Sequence, residues 1–408
     1  MQQENRVSLV ACDNYDQALI DEKIKETFDN LGGIDSFVKK GQVVVLKPNL
    51  VSAKTPDAAV TTHPSIVEAV AKLVLKAGAG KCIIADSAGG PYTKGFMHGI
   101  MRTAGMMDAA DKSGAEISED FSAYEVETPE ARVGKKYSVL GVLQDADVII
   151  NLCKLKTHSF TGYSGAVKNM FGAIPGMAKV EMHGKFQNLT NFNNFIYDVQ
   201  DYFKPKLALH LMDAVVGMEG PGPTAGTPRH IGAIIAGKNP LACDIVGLQL
   251  IAFNDMLTNP TIKVGIERGY LGEDLSTDVV GSREADFEKI VNYKQVAISE
   301  FQPLVPNVPR WVLRLLHWGT TQRPVVSRSK CKGCKKCAEH CPAKAIEMTQ
   351  YKKGKQPNKV KFKYNQCIRC YCCQELCPFG LVKVKSGPLH RFFRAKKSKV
   401  KKTDCTQE

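Results

Sequence analysis

Twelve residues, CKGCKKCAEHCP (331 to 342), recur in their spacing 36 positions later as CIRCYCCQELCP (367 to 378). Cys331, Cys334, Cys337 and Cys341 with Pro342 give C-x2-C-x2-C-x3-C-P, and Cys367, Cys370, Cys373 and Cys377 with Pro378 give it again. Fourteen cysteines in 408 residues would suit a disulfide framework in an exported chain. The opening MQQENRVSLVACDNYDQ, however, lacks the charged-then-apolar order of an export signal. The expected compartment is therefore the reducing cytoplasm, where thiols serve metals or packing. Structural zinc sites take two separated pairs of ligands, so triplets two apart argue against zinc.

The doubled spacing is that of bacterial two-cluster ferredoxins, in which the fourth cysteine of each run reaches the other cluster. Cys331, Cys334, Cys337 and Cys377 are thus expected on one [4Fe-4S] cluster, and Cys367, Cys370, Cys373 and Cys341 on its neighbour. Cys372 is surplus to that set and reads as a packing thiol or one beside a ligand. Cys405, in a charged tail, reads as free.

Charge separates the chain into unlike parts. From Arg323 onward there are 23 Lys and Arg against 5 Asp and Glu, whereas residues 1 to 322 hold 32 against 36. Between them PLVPNVPRWVLRLLHWGTTQRPV has four prolines around one short helical pattern, a linker composition. The expected organisation is an α/β domain over 1–302, a linker with a short amphipathic helix over 303–325, a ferredoxin-like domain over 326–388 and a basic tail over 389–408. No apolar run approaches the ~18 residues of a spanning helix.

The larger part alternates apolar runs with helical patterns. VVVLKPN (43 to 49), CIIADSAGG (82 to 90), VIINLCKLKTH (148 to 158) and LALHLMDAVVGMEGPGP (207 to 223) read as strands ending in polar or glycine-rich turns. PSIVEAVAKLVLKAG (64 to 78) and PLACDIVGLQLIAF (240 to 253) read as helices, each with proline in its first turn. This order predicts an α/β fold: a mainly parallel sheet covered by helices, joined to a small α+β ferredoxin-like domain. Ligands of such sheets bind beyond the carboxyl ends of the strands. Those ends supply Lys47 and Asn49, Asp86 and Ser87, Lys154, Lys156 and His158, then Asp213 and Glu219. SGAVKNMFGAIPG (164 to 176) adds Lys168 and Asn169. Together they suit a small anionic ligand, with Lys154, Lys156, His158 and Asp86 as candidate catalytic groups and Lys47, Asn49, Lys168 and Asn169 as candidate binding groups. Taken alone, each lysine reads more often as a solvated charge, while Asp86 reads equally as a turn or cap residue and His158 as a structural histidine.

Several chemistries are argued against. LKAGAGKC lacks the first glycine of a P-loop and has Cys82 in place of its Ser or Thr. GPGPTAG (220 to 226) is one residue too long for a dinucleotide fingerprint, and its prolines remove amide donors. It reads as a rigid wall or lid.

KPNLV, TTHP, ADSAGG, NLCKLKTH, GAVKNMFG and MDAVVGMEGPGP, in this order before the doubled cysteine motif, resemble the iron-sulfur family known as domain of unknown function 362, over roughly residues 40 to 385. The resemblance implies this architecture but no reaction. The expected function is an iron-sulfur oxidoreductase or electron-transfer protein that passes low-potential electrons through two [4Fe-4S] clusters to a small anionic substrate or cofactor in the α/β domain. A docking module relaying electrons to a partner protein, and a non-redox enzyme with structural or redox-sensing clusters, are the alternatives. The tail RFFRAKKSKVKK and the pattern RWVLRLLHW read first as a solubilising extension and a linker helix packed on the body. An acidic ferredoxin as electron donor or acceptor comes next, and peripheral membrane contact after it. The basic run lacks a recognition fold, which argues against nucleic acid.

Overall fold

The computed structural model describes residues 4–254, 256–283, 286–287, 290, 292–296, 321–327, 330–349 and 359–385. The chain divides into two compact units, Met1–Val296 and Ala297–Glu408. Residues 303–320 of the expected linker, with its helix, and the basic tail 389–408 lie outside the described residues.

The first unit contains β1 (Arg6–Ala11), β2 (Val43–Lys47), β3 (Lys81–Ile84), β4 (Glu116–Ile117), the hairpin β5 (Ala123–Glu127) and β6 (Lys136–Leu140), β7 (Val148–His158), β8 (Gly162–Ser164), β9 (Leu207–Glu219), β10 (Thr227–Gly237) and β11 (Asp278–Gly281). Among the described residues all but β5 and β6, which pair as a separate two-stranded sheet, build one large sheet in the order β11-β1-β10-β9-β7-β2-β3-β4, with β8 beside the end of β7. The neighbours from β9 through β7, β2 and β3 to β4 are parallel, as are β1 and β11. β10 is antiparallel to β9, because the loop 220–226 turns the chain straight back, and antiparallel to β1 on its other side. The fold class is therefore α/β with a mainly parallel sheet.

All eleven residues of β7 are buried, as expected of a central strand covered on both faces. On one face helix Pro64–Lys76 presents Ile66, Val67, Val70, Ala71 and Val74 to a core that includes Val44, Leu46, Ile150 and Leu152. Burying each valine, leucine or isoleucine side chain among them contributes about 1.5–3 kcal/mol. The helix starts where Pro64 fixes φ and His63 Nδ1 accepts the Ser65 amide at 3.2 Å. It ends before Gly78, whose φ of +89° suits a left-handed stop. On the other face Pro240–Leu250, capped by Asn239, packs against β1, β9 and β10.

In the second unit β12 (Arg323–Val326) pairs antiparallel with β15 (Val382–Lys385), and β13 (Ile346–Thr349) with β14 (Lys359–Phe362). Short helices Lys336–Glu339 and Cys372–Glu375 complete this α+β unit. Its first strand starts at Arg323, inside the stretch read as linker. Among the described residues its core is small, formed by Cys337, Ile346 and Val360 with Val326, Met348 and Phe362 against it. A core of that size ordinarily needs a metal or disulfide staple.

Candidate functional site

The cysteine runs fold into two loops with the same backbone. Left-handed residues occur at Gly333, Lys335 and Lys344 (φ 68°, 64° and 49°) and, 36 positions on, at Arg369, Tyr371 and Gly380 (57°, 59° and 59°). Four of these six carry side chains that disfavour this region, a cost sustained where the surroundings impose it. Left-handed residues placed in this way turn successive amide hydrogens to one side, the concavity that receives anionic groups at iron-sulfur sites. The repeat extends to sulfur: Cys341 Sγ accepts the Ala345 amide at 3.2 Å and Cys377 Sγ that of Leu381 at 3.3 Å.

The thiols gather as two sets. Burial pushes Cys337 up to about 11, and the neighbouring Cys334, Cys377 and Cys331 add to it. Cys341, Cys367, Cys370 and Cys373 line one small cavity together with Pro324 and Tyr371. Burial also raises the pKa of Cys373, and Cys370, Cys367, Cys337 and Cys341 add to it in that order. Crowded thiolates need a cation to neutralise them, and an iron-sulfur cluster meets that need. Cys372 is buried and hydrogen-bonded to Cys370.

In the first unit most of the strand-end residues converge, but as an internally bonded network. Asp86, just beyond β3, sets Oδ1 2.8 Å from Lys47 Nζ and accepts the Leu50 amide on Oδ2 at 2.7 Å. Lys47 also donates to Asn169 O at 2.7 Å. Gly172 lies against this pair, and a Cβ there would overlap Lys47 Nζ and Asp86 Oδ1. Lys156 donates to Asn49 Oδ1 at 2.5 Å and Val60 O at 2.6 Å. The chain continues through Asn49 Nδ2 to Asn169 Oδ1 (2.6 Å), Asn169 Nδ2 to Asn151 Oδ1 (2.7 Å) and Asn151 Nδ2 to His210 Nδ1 (2.9 Å). Burial depresses His210 to about 3, so its ring is neutral and Nδ1 accepts. Asp244 holds the Lys168-bearing segment by accepting the Ala166 amide at 2.5 Å and the Val167 amide at 3.3 Å. Burial pushes Asp244 up to about 7 against the lowering effect of those amides.

A second constellation adjoins it on β7 and β9. Lys154 Nζ donates to Asp213 Oδ2 at 2.7 Å and to the Tyr15 hydroxyl at 2.8 Å, while Tyr15 donates to Asp213 Oδ1 at 2.7 Å. Burial lowers the Lys154 pKa and Asp213 opposes that shift. His63 stacks on Tyr15 with centroids 3.6 Å apart, and burial depresses it to about 4.

The remaining expected residues lie apart from these bonds. His158 is buried, and its Nδ1 accepts the Phe160 amide at 3.1 Å. Lys168 is half-buried, its Nζ 5.7 Å from the Phe171 ring centroid. Glu219 turns to Lys294, 3.0 Å away. The loop 220–226 closes on β7, where Gly222 O accepts the Ser159 hydroxyl and a Cβ on Gly222 would overlap Thr157 O. Lys47 and Lys154 are paired within the protein, with Asp86 and Asp213, because a buried ammonium requires a partner. Tyr15, His63, Asn151, His210 and Asp244 were not among the expected site residues. The available signal was a polar residue interrupting a buried run, as Asn151 does in VIINLC and His210 in LALHLM.

Residues 44–249 match the family described as Domain of unknown function (DUF362), and residues 330–381 match the 4Fe-4S dicluster domain. A "Thylakoid-associated protein" of Synechocystis sp. is 31% identical over 263 residues, 63% of this chain and 77% of the relative. An "Uncharacterized polyferredoxin-like protein" of Methanocaldococcus jannaschii is 35% identical over 82 residues, 18% of this chain and 47% of the relative. Among solved structures, the lactate racemase apoprotein from Thermoanaerobacterium thermosaccharolyticum aligns with a TM-score of 0.38 at 15% identity, covering 62% of this chain and 58% of that one. The protein belongs to the DUF362 family and carries a ferredoxin-like 4Fe-4S domain that follows the family region.

Proposed function

We propose that this protein is an iron-sulfur oxidoreductase that passes low-potential electrons through two [4Fe-4S] clusters to a small anionic substrate or cofactor at the carboxyl edge of the large sheet. The observation that carries this reading is the pair of cysteine loops with matching left-handed positions and matching N–H···S bonds. Cys331, Cys334, Cys337 and Cys377 hold one cluster, and Cys367, Cys370, Cys373 and Cys341 the other. The bound clusters supply one-electron transfer. In the first unit Lys168 and Lys156 face the ligand's charge, Asn49 and Asn169 orient it, and Tyr15 between Lys154 and Asp213 handles protons. His158 keeps the end of β7 in shape, and Lys47 with Asp86 holds the floor of the site.

One observation favours a second reading, in which the first unit docks a partner protein: Lys47 and Lys154 are neutralised from within. We place the protein in the cytoplasm, and the name of the cyanobacterial relative makes contact with a membrane surface a property to test. Anaerobically purified protein should carry a small anionic molecule or flavin, and Lys168→Ala should weaken its binding by about 1.5–3 kcal/mol at unchanged iron content. No co-purifying molecule, with no response to Lys168→Ala, would favour docking.

A further inference from the structure

The two cysteine loops share a backbone but not a surface, and we infer that the first loop is the port at which an acidic one-electron carrier protein docks. The inference rests on the reading above that both loops hold clusters. Cys334 is exposed, and so are Lys330, Lys332, Lys335 and Lys336 around it. Among the described residues none of these four ammonium groups has an ion pair. Glu339, also exposed, is the one carboxylate on the adjoining short helix. At the equivalent positions 36 residues on, the four lysines are replaced by Gln366, Ile368, Tyr371 and Cys372. The counterpart of Cys334 is Cys370, which is buried, and the buried Tyr371 ties its hydroxyl to Gln322 O at 3.2 Å.

One loop is thus open and ringed by cations, while its twin is largely closed over and carries one half-buried cation, Arg369. Phe379 adds an apolar element. It is 51% exposed, two residues beyond Cys377, which belongs with the first loop's thiols, and its counterpart in the repeat is Ala343. An exposed aromatic ring close in sequence to a thiol of this set, together with unpaired cations on the loop, matches the anatomy of an interface with an acidic protein: the cations steer the approach and the ring anchors the contact. The reduced carrier gives up one electron and is oxidised. The group framed by Cys331, Cys334, Cys337 and Cys377 takes up that electron, with no atom or proton exchanged.

The test uses the full-length, anaerobically loaded protein and an acidic soluble two-[4Fe-4S] ferredoxin as probe. Lys332→Glu, Lys335→Glu and Lys336→Glu are combined in one variant, and Lys361→Glu, Lys383→Glu and Lys385→Glu, which change exposed lysines elsewhere on the unit, in a control. At low salt the loop variant should bind the oxidised ferredoxin at least ~10-fold more weakly and accept electrons from the reduced ferredoxin at least ~10-fold more slowly, with a flattened salt dependence. The control should change less than about threefold, and reduction by a photogenerated deazaflavin radical should be unchanged in both. If the glutamate variant loses iron, the corresponding glutamine variant should move binding in the same direction. Equal losses in loop variant and control, or wild-type protein that the deazaflavin radical reduces but the ferredoxin neither binds nor reduces, would overturn the inference. Failure of both reductants on wild-type protein would overturn the cluster relay as well.

Discussion

Lys154 and Asp213 are register partners on the adjacent parallel strands β7 and β9, and their buried side chains meet at 2.7 Å. The pairing places opposite charges level with each other on two central strands of the sheet, and Tyr15 bridges both. Asp213→Asn leaves an ammonium buried without its counter-charge and should cost about 3–5 kcal/mol, whereas the double change Lys154→Met with Asp213→Asn, which removes that ammonium and keeps an acceptor oxygen for the His63 amide or the Tyr15 hydroxyl, should recover most of that loss. Urea denaturation followed by far-ultraviolet circular dichroism measures both. A single substitution no costlier than the double would contradict the assignment.

Gly172 is the only residue type that fits against the Lys47–Asp86 pair, because a methyl group there would meet both charged atoms. Gly172→Ala should therefore destabilise the first unit by about 1–3 kcal/mol, the range for overpacking a buried site, although alanine ordinarily favours helical backbone. Unchanged stability in the alanine variant would mean that the pair moves aside freely.

The buried histidine His210 makes stability depend on pH. Its folded pKa of about 3 lies below the ordinary 6.5, so its contribution is fully present above pH 6.5 and is lost as pH falls toward 3. Asp244, raised to about 7 from 3.8, acts with the opposite sign: its contribution declines as pH rises from about 4 to 7. His210→Gln keeps an acceptor for Asn151 without a titrating ring and should shrink the loss between pH 6.5 and 4 by about 2–3 kcal/mol. Parallel stability curves for variant and wild type would show that the ring is protonated without cost.

Much of the architecture was legible because it is written in short-range pattern. Cysteine spacing, continuous apolar runs and a proline-started helix each act over a dozen residues, and β2, β3, β7 and β9 lie where those runs stand. β10 was missed: TPRHIGAIIAG begins with four exposed residues, and its antiparallel placement depends on the hairpin back from β9. The strand-end residues were identifiable, but not which carboxylate would meet which lysine. Lys47 finds Asp86 on the neighbouring strand's exit, and Lys154 finds a tyrosine 139 positions away in sequence. Such partners follow from register and loop closure, which no local pattern specifies.

The most direct measurement is the metal content of anaerobically reconstituted protein together with the paramagnetic resonance of its reduced state. About eight irons and eight inorganic sulfides per chain are predicted, with signals from two interacting clusters. Cys341→Ser should alter the signal of the group shared with Cys367, Cys370 and Cys373 while leaving the other in place. Four irons per chain, stoichiometric zinc, or a Cys341→Ser change confined to the group of Cys331, Cys334 and Cys337 would contradict the account.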